Sequence, residues 1–420
     1  MPEKKLDPID QLMEEWGKLV GRVMTSEDFR ARGPGFEGNI LSDNTLNRDV
    51  TQDGIRIFVN GEGDLNPLFR DPEYAKKTKY KTMIAPPNYL YTICYAQSPP
   101  DHGPVIAGVD GMYSGCDREW FRPVCVGDTF TYRVMCPAEN KVAPSKYAGR
   151  KVLSYEKADY YRQGGELVGG YSSYEQWFDV KKAEELNIFG KTDLVKMPEY
   201  SEQELKEIYA AQDREEIRGA KPRYWEDVKV GDELTPVVRG PLNEAELTAW
   251  HAAGHAHFIS ERLTRIMWEK MPPSPGWKGV NKWEFGQGFL KGQVRDYGPG
   301  HKITEAHPRQ VAVGQQTEAW RYIMLTNWMG DDGFLWKFST QIRKMNMIGD
   351  TTWSKGKVIN KYCDNGKYCV DIDVQSINQT GAVTVTGGAT VILPSREHGP
   401  VVYPVPYARV PVKVQNGNPI

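Results

Sequence analysis

Asp64 and Asn66 stand two residues apart in the stretch Gly63-Asp64-Leu65-Asn66-Pro67. A carboxylate beside an amide at a loop-to-helix turn can bind and orient a water molecule, and a carboxylate can serve as a general base. Asp, Asn and Pro are also common turn and helix-capping residues, so a structural role explains the same stretch. The sequence leaves two interpretations of Asp64: a residue that activates water together with Asn66, or a cap.

A cluster of histidines, His251, His255 and His257, lies in the second half of the chain. His251 and His255 would share one face of a helix if the segment is helical. A zinc site at that spacing needs a glutamate directly after the first histidine, whereas Ala252 follows His251, so no metal site is expected. Two interpretations remain: His255 or His257 is a catalytic imidazole in a pocket shared by the two halves, or the histidines are satisfied at a domain interface.

The composition excludes several classes of partner. The 420 residues carry 53 basic and 55 acidic side chains, a formal net charge of −2, which gives no electrostatic attraction to nucleic acid or to an anionic membrane surface. No apolar run reaches the roughly 20 residues of a membrane span, and the polar start Met1-Pro2-Glu3-Lys4-Lys5 lacks the apolar run of a signal peptide. We therefore expect a cytoplasmic protein with no nucleic-acid or membrane partner.

The sequence contains no motif for a cofactor. Its six cysteines lack Cys-x-x-Cys spacing, which predicts neither a zinc knuckle nor a disulfide framework. Gly-x-Gly-x-x-Gly and Walker-type loops do not occur either, so neither motif supports a nucleotide cofactor. We expect no cofactor.

Two helices that would support these residues can be predicted from pattern. Apolar residues recur at three- and four-residue spacing over residues 9–23, after the turn Asp7-Pro8, which predicts an amphipathic helix. Residues 201–222 are charged and favour helix. The length suits two domains of ordinary size, and we place a domain at residues 1–200, a charged helical linker at 201–222 and a second domain at 223–420.

The two sides of this linker repeat one pattern. Gly127-Asp128 in the first half corresponds to Gly349-Asp350 in the second, and each pair predicts a turn that leads into a long strand. Upstream of each turn lies one apolar segment long enough for a helix, at about residues 84–96 and 319–328. One helix followed by a strand meander, twice over, predicts an antiparallel sheet wrapped around a central helix in each half.

The strands after each turn show different degrees of regularity. Apolar and polar residues alternate strictly over residues 370–374 and again over 383–386, as in antiparallel strands with one wet face. The first half matches more loosely from Glu166 onwards.

The first half also contains a family motif. The stretch Gly63-Asp64-Leu65-Asn66-Pro67-Leu68-Phe69, with Asp71 and Ala75 after it, resembles the signature of the MaoC-like enoyl-CoA hydratase and acyl dehydratase superfamily. That signature reads Gly-Asp-x-Asn-Pro-hydrophobic-His, followed by an aspartate and an alanine. Phe69 stands where the superfamily has histidine, so half of its usual Asp–His dyad is missing.

The second half resembles the same superfamily. Residues 224–234 resemble its common domain start, and residues 325–333 and 381–389 resemble the C-terminal half of long bacterial acyl dehydratases, whose N-terminal domain is like the dehydratase of fatty-acid synthase. The similarity extends from about Ile55 to Pro394. It implies an α+β double hot-dog fold, in which two antiparallel sheets each wrap around a central helix.

The signature is intact in neither half. Residues 254–260 align with residues 63–69, which puts His255 at the aspartate position and His257 at the asparagine position. His307 resembles a recurrent histidine of the long acyl dehydratases, although the residues after it lack the expected Tyr-Asp and Arg. His255, His257 and His307 are therefore the candidates to replace the missing histidine.

The resemblance implies the chemistry of hydration, which needs a base for water, an acid for the α-carbon and a donor for the thioester oxygen. In MaoC-like enzymes Asp and His supply the first two, and backbone N–H groups at the start of the hot-dog helix supply the third. Here that helix would begin near residues 83–87, so Pro86 and Phe69 are expected at the substrate site. An apolar Phe69 in place of a cation would desolvate Asp64, so we expect a raised Asp64 pKa.

Residues 268–300 are rich in Trp, Gly and Pro and have no regular period, which predicts a long ordered loop. Its aromatic residues, Trp283 among them, would wall an aromatic or ring-bearing acyl group. Packing over an exposed sheet face explains the same residues equally well.

Three functions fit these features. The first is a hydratase or dehydratase of an acyl-CoA thioester, with Asp64 and Asn66 handling water and coenzyme A present only as part of the substrate. The second is another enolate-forming reaction, either carbon–carbon cleavage or decarboxylation. The third is a thioester-binding subunit without turnover. Because hot-dog domains commonly pair through sheet edges and helix faces, we also expect a homodimer.

Overall fold

A ten-stranded antiparallel sheet runs through the described part of the chain. The computed structural model describes residues 6–26, 47–94, 106, 108–186, 196–255 and 311–407. The strands are β1 (Val23–Thr25), β2 (Val109–Trp120), β3 (Phe130–Ser145), β4 (Gly149–Arg162), β5 (Glu166–Asp179), β6 (Val237–Arg239), β7 (Phe334–Ile342), β8 (Thr352–Asp364), β9 (Lys367–Asn378) and β10 (Val383–Ile392). Their order across the sheet is β1-β3-β4-β5-β2-β7-β10-β9-β8-β6.

The helices lie between and beside these strands. They are α1 (Pro8–Gly17), α2 (Gln52–Glu62), α3 (Pro72–Ala75), α4 (Val180–Leu186), α5 (Glu202–Gln212), α6 (Glu244–Trp250) and α7 (Gly314–Met329). Short 3-10 helices cover Pro67–Phe69, Pro87–Thr92 and Trp225–Asp227, and a π-helical turn covers His251–His255. None of the helices in these described ranges is long and apolar enough to cross a membrane.

The predicted repeat is confirmed by two turns of the same construction. Gly127 and Gly349 have left-handed φ angles of 94° and 90°, a conformation that glycine adopts without strain. The aspartate after each glycine accepts a hydrogen bond from the backbone N–H three residues before it, at 2.8 Å in both turns. Each turn then leads into a long strand, β3 in the first half and β8 in the second.

The alternation predicted for the second half holds in β9 and fails in β10. In β9, Val370, Ile372 and Val374 are buried as expected. In β10, the register against β9 shifts between Val383 and Val385, so that Thr384 is skipped in the residue-by-residue pairing of the two strands. This bulge turns Thr384 inward beside Val385, and it replaces the alternation that the sequence suggested.

The ends of the other predicted helices also differ from expectation. Helix α1 ends at Gly17; Val20 is exposed and Val23 begins β1, so the helix predicted over residues 9–23 is too long. In the first half, the helix expected over residues 84–96 is a 3-10 helix that begins only at Pro87, directly after Pro86. Residues 95 and 96 lie outside the described residues.

The charged segment predicted as a helical linker over residues 201–222 is helical only over Glu202–Gln212, and residues 213–222 are turn and irregular structure. Helix α5 begins at a capping box in which Ser201 and Glu204 exchange hydrogen bonds. The domain limits at residues 200 and 223 stay a prediction.

The two halves meet where β2 pairs with β7. Residues 115–119 of β2 lie opposite residues 337–341 of β7, so five strands from each half join into one sheet. The helix predicted over residues 319–328 is α7, which contacts β6, β7 and β8 of its own half and also β2.

Helix α7 is buried on all sides, yet its first turns are polar. Glu318 accepts a hydrogen bond from Tyr113 and lies 3.8 Å from Nη2 of Arg118, and both Glu318 and Arg118 are buried. The Arg118 guanidinium stacks between Tyr91 and Tyr171, at 4.0 and 4.9 Å from the ring centres. Because Arg118 is in β2 and Glu318 in α7, this buried ion pair crosses the seam between the halves.

Replacing Arg118 by methionine should therefore destabilise the protein by about 3 kcal/mol, because it removes the cation nearest to the buried Glu318 and leaves only the charge of Arg321 to act on it. Urea unfolding of wild type and Arg118→Met measures this difference. Arg56→Met is the matched control, since Arg56 pairs with Asp53 on the exposed face of α2 and such pairs contribute at most about 1 kcal/mol. Equal losses in the two variants would contradict a structural role for the buried pair.

Candidate active site

The loop after α2 holds the aspartate and asparagine of the sequence motif. Helix α2 ends at Glu62, Gly63 follows in a left-handed conformation, and Asp64 and Asn66 are each 1% exposed. Asp64 Oδ1 accepts a hydrogen bond of 2.8 Å from the N–H of Asn66, and Asn66 Oδ1 accepts one of 3.0 Å from the N–H of Leu68. One oxygen of each side chain is therefore used to shape the loop, as the capping interpretation predicts.

The second carboxyl oxygen of Asp64 is in a different position. Oδ2 is buried and has no hydrogen-bond partner among the described residues. Burial raises the pKa of Asp64 to about 6, against the opposing influence of the Asn66 N–H and of the charges of Arg239 and Arg70. The predicted rise in pKa is confirmed. Asp64 thus combines a structural oxygen with an oxygen that can accept a proton near neutral pH.

Residues of the second half hold this loop in place. Arg239 Nη2 donates to the carbonyl of Gly63 at 3.1 Å, and its Nη1 donates to Glu215 at 2.8 Å. Glu215 in turn accepts a hydrogen bond of 3.0 Å from the amide of Asn327 in α7. The geometry of the first-half loop therefore depends on the second half.

A cleft opens between the halves beside this loop. It is a narrow cleft with a cavity volume of about 40 Å³. Its first-half wall includes Asn66, Phe69 and Pro87, and its second-half wall includes Thr326 and Asp331. Most of the remaining lining is apolar, from Leu68, Ile84, Ala85, Trp120, Pro123, Val124, Met329, Phe334 and Leu335.

Of the two residues expected at the substrate site, Phe69 lines the cleft and Pro86 does not. Phe69 is 2% exposed and lines the cleft, at the place where the family signature has histidine. Pro86 is buried and is not part of the lining, although Ala85 and Pro87 on either side are.

The expected backbone donors near residues 83–87 are largely missing. Pro86 and Pro87 have no N–H, and the N–H of Ala85 already donates to the carbonyl of Val124 at 2.9 Å. The first N–H of the 3-10 helix that can face a ligand is therefore that of Asn88.

The structure adds a carboxyl that the motif comparison missed. Glu62, the last residue of α2, is 1% exposed and accepts a hydrogen bond from the amide of Asn88. Burial, followed by the charge of Asp64, raises the pKa of Glu62 well above its ordinary value. A signal existed in the sequence, because an acid at the C-terminal end of a helix is opposed by the helix dipole and calls for an explanation.

Of the histidine cluster, the structure describes His251 and the backbone of His255. The π-helical turn that contains both packs so closely on α2 that a Cβ at Gly61 would lie 2.3 Å from Cβ of Ala253. Burial lowers the pKa of His251 to about 4, so this imidazole is neutral at physiological pH. The side chain of His255 and all of His257, His307 and Trp283 lie outside the described residues. In the described ranges no group of three His, Cys, Asp or Glu side chains is placed to hold a metal ion.

Comparison with known proteins agrees with this architecture. The sequence model of the FAS1-like dehydratase domain region matches residues 41–168. A UPF0336 protein of Parafrankia sp. is 30% identical over 122 residues, which are 28% of this chain and 77% of that protein. A UPF0336 protein of Streptomyces avermitilis is 34% identical over 92 residues, 20% of this chain and 57% of that one.

Two solved structures share the fold over most of the chain. A MaoC-like dehydratase superposes with a TM-score of 0.55 and 16% identity, covering 90% of this chain and 99% of that one. A conserved hypothetical protein from Mycobacterium tuberculosis, described as having a double hot-dog fold, superposes with a TM-score of 0.50 and 9% identity, covering 90% and 98%.

The fold and the cleft between its halves define a fused double hot-dog protein of the α+β class, as predicted. The chain belongs to the family of the UPF0336 proteins and has the fold of a MaoC-like dehydratase. Its fold is therefore of the dehydratase type.

The raised pKa of Asp64 predicts a pH-dependent stability. The folded pKa of about 6 lies above the ordinary 3.8, so this group favours the folded state below pH 3.8 and that contribution is lost as the pH rises through 6. The difference corresponds to roughly 3 kcal/mol. Wild type should lose about this much more stability than Asp64→Asn between about pH 4 and about pH 8.

Urea unfolding across that pH range measures the effect. Asp53→Asn is the control, because it makes the same chemical change on the exposed face of α2. Parallel pH profiles for wild type and Asp64→Asn would show that the pKa of Asp64 is the same in the folded and unfolded protein, and would contradict the raised pKa.

Proposed function

We propose that this protein is a hydro-lyase that adds water to, or removes it from, an acyl-CoA thioester with a bulky or aromatic acyl group. The observation that carries the proposal is the buried Asp64, whose Oδ2 has no hydrogen-bond partner among the described residues and whose neighbour Asn66 lines the cleft. A carboxylate of this kind, with a pKa of about 6, is mostly ionised at neutral pH and can take a proton from water.

The position of Asn66 supports the handling of water. Its Oδ1 is used by the N–H of Leu68, which fixes the side chain and leaves its amide N–H groups to donate to an oxygen atom in the cleft. In hydration, Asp64 accepts the proton of a water molecule while the water oxygen bonds to the β-carbon of the enoyl group. The α-carbon then receives a proton from an acid, and dehydration is the reverse.

The lining of the cleft supports an acyl ligand. Apolar side chains from both halves form most of it, and an acyl chain gains free energy when it leaves water for such a surface. The aromatic ring of Trp120 and that of Phe334 favour a ring-bearing or branched acyl group. Coenzyme A enters only as part of the substrate, and no separate cofactor is proposed.

A second candidate is a thioester-binding protein without turnover. Phe69 favours it, because a buried phenyl ring stands where the superfamily has its acid–base histidine.

We further propose that the protein is cytoplasmic and forms a homodimer. Light scattering of the purified chain tests the proposed homodimer.

Asp64→Asn should lower kcat for hydration of enoyl-CoA thioesters by roughly 10²- to 10⁴-fold, because it removes the base and keeps the shape of the side chain. The loss of the conjugated enoyl absorbance, followed over a panel of aliphatic and aromatic substrates, measures turnover. The dissociation constant of a saturated acyl-CoA should be unchanged.

Asp53→Asn is the matched control for this assay and should keep wild-type activity. Tight binding of acyl-CoA without turnover of any substrate would overturn the hydro-lyase proposal in favour of the binding protein. Carbon–carbon cleavage or decarboxylation products would replace it by another enolate-forming reaction.

A further inference from the structure

The acid of the proposed reaction has no histidine to perform it in the first-half motif, since Phe69 occupies that position. We infer that Glu62 is this acid: it delivers a proton to the α-carbon of the thioester while Asp64 takes a proton from water. The inference rests on the proposed hydro-lyase function and names a catalytic residue that the family signature does not contain.

The two carboxyl groups are neighbours in the fold. Glu62 and Asp64 flank Gly63, and two Cα–Cα steps of 3.8 Å keep their Cα atoms within about 7.6 Å of each other. Each is 1% exposed, so both carboxyl groups are buried.

Each carboxyl accepts a hydrogen bond from an asparagine. Asp64 accepts a hydrogen bond from the backbone of Asn66, which lines the cleft. Glu62 accepts one from the side chain of Asn88, which follows the lining residue Pro87. Asp64 is thereby bonded to a lining residue and Glu62 to the residue that follows one, while neither carboxyl is itself part of the lining.

The surroundings of Glu62 favour its neutral form. It is the last residue of α2, where the helix dipole opposes a negative charge, and it is removed from water. Arg239 is the cation that acts on it, but Arg239 is already paired with Glu215 at 2.8 Å. The neighbouring charge of Asp64 adds to the burial and raises the pKa of Glu62 further.

The two groups consequently differ in protonation near neutral pH. Asp64, with a pKa of about 6, is taken as the ionised member of the pair, and Glu62, whose pKa burial raises well above its ordinary value, is assigned as the member that carries the proton. Two carboxyl groups with their pKa values pushed apart by environment form an acid–base pair.

The proposed step balances. The Asp64 carboxylate takes a proton from water as the water oxygen bonds to the β-carbon, and the carbon–carbon double bond opens toward the α-carbon. The α-carbon takes the proton of the Glu62 carboxyl. The products are the β-hydroxyacyl thioester, protonated Asp64 and ionised Glu62, and a proton passes from Asp64 to Glu62 before the next turnover.

Other titratable groups lie on the elements packed against α2, and they belong in the interpretation of any pH profile. They include Arg70, which bonds to Asn60 of α2, Tyr89, which packs on Phe58 of α2, and Glu215, which acts on Asp64. They also include Glu244 and Glu246 of α6, His251 of the π-helical turn, Arg239 of β6, and Glu318 and Arg321 of α7.

Glu62→Gln should lower kcat for enoyl-CoA hydration by roughly 10²- to 10⁴-fold, with an unchanged dissociation constant for a saturated acyl-CoA. Gln retains an oxygen that can accept from Asn88, so the fold should be kept. Glu73→Gln is the matched control: its side chain is exposed on α3 and should give wild-type rates.

The pH profile separates catalysis from a structural role. Wild-type kcat should be bell-shaped, with a low-pH limb from Asp64 and a high-pH limb from Glu62. The residual activity of Glu62→Gln should lack the high-pH limb, whereas Glu62→Asp should keep a weaker bell. Wild-type kcat in Glu62→Gln, or an unchanged high-pH limb, would overturn the inference and leave the hydro-lyase function standing.

A readout without turnover tests the protonation state directly. Infrared difference spectra of wild type at neutral pH should contain the carbonyl band of a protonated carboxyl group that disappears in Glu62→Gln and persists in Glu73→Gln. Absence of that band would overturn the inference whatever the activity. A protein that shows the band but turns over no thioester would refute the proposed function and, with it, the catalytic role of Glu62.

Discussion

The pairing of β2 with β7 is the interaction on which the rest of the molecule depends. It joins two five-stranded sheets into one and sets the first-half motif loop beside helix α7 of the second half. The hydrogen bond from Arg239 to Gly63, the buried pair of Arg118 and Glu318, and both walls of the cleft exist only because that edge is closed. An exposed sheet edge would also invite pairing with other chains. The pairing of β2 with β7 thus brings the walls of the cleft together and leaves neither of these two strands at an exposed sheet edge.

Buried charge is concentrated along this seam. Arg118, Glu318 and Arg321 lie in the interior at the first turns of α7, and Glu62 and Asp64 lie at the end of α2. Taking such groups from water costs several kcal/mol each, and their partners offset this cost only in part. Arg118 and Arg321 are tied to partners across strands and helices, which is the pattern of a structural network. The carboxyl pair beside the cleft is held by amides and shifted in protonation, which is the pattern of groups kept for proton transfer.

Much of the fold follows from local signals. The Gly-Asp turns, the alternation in β9 and the apolar segment of α7 are read within a few residues of one another, and the structure reproduces them. The bulge at Thr384 and the early end of α1 depend on strand register and on neighbouring loops, which the sequence pattern does not contain. In the site, Asp64 could be singled out from a motif, and the direction of its pKa shift was expected from an apolar setting, whereas the structure attributes the rise to burial. Glu62 was missed because its partner Asn88 is 26 residues away in the sequence. The hydrogen bond that Arg239 donates to the neighbouring Gly63 spans 176 positions.

The close contact of the π-helical turn with Gly61 has a consequence for how such a chain can change over time. In a dimer of identical subunits, each substitution appears twice and must suit both copies of an interface. Here the loop after α2 and the turn that packs on it belong to different halves of one polypeptide, so each is encoded once. Fusion has therefore released the two halves from symmetry. A substitution such as phenylalanine at the motif position can therefore stand in one half, while the facing surface of the other half changes independently.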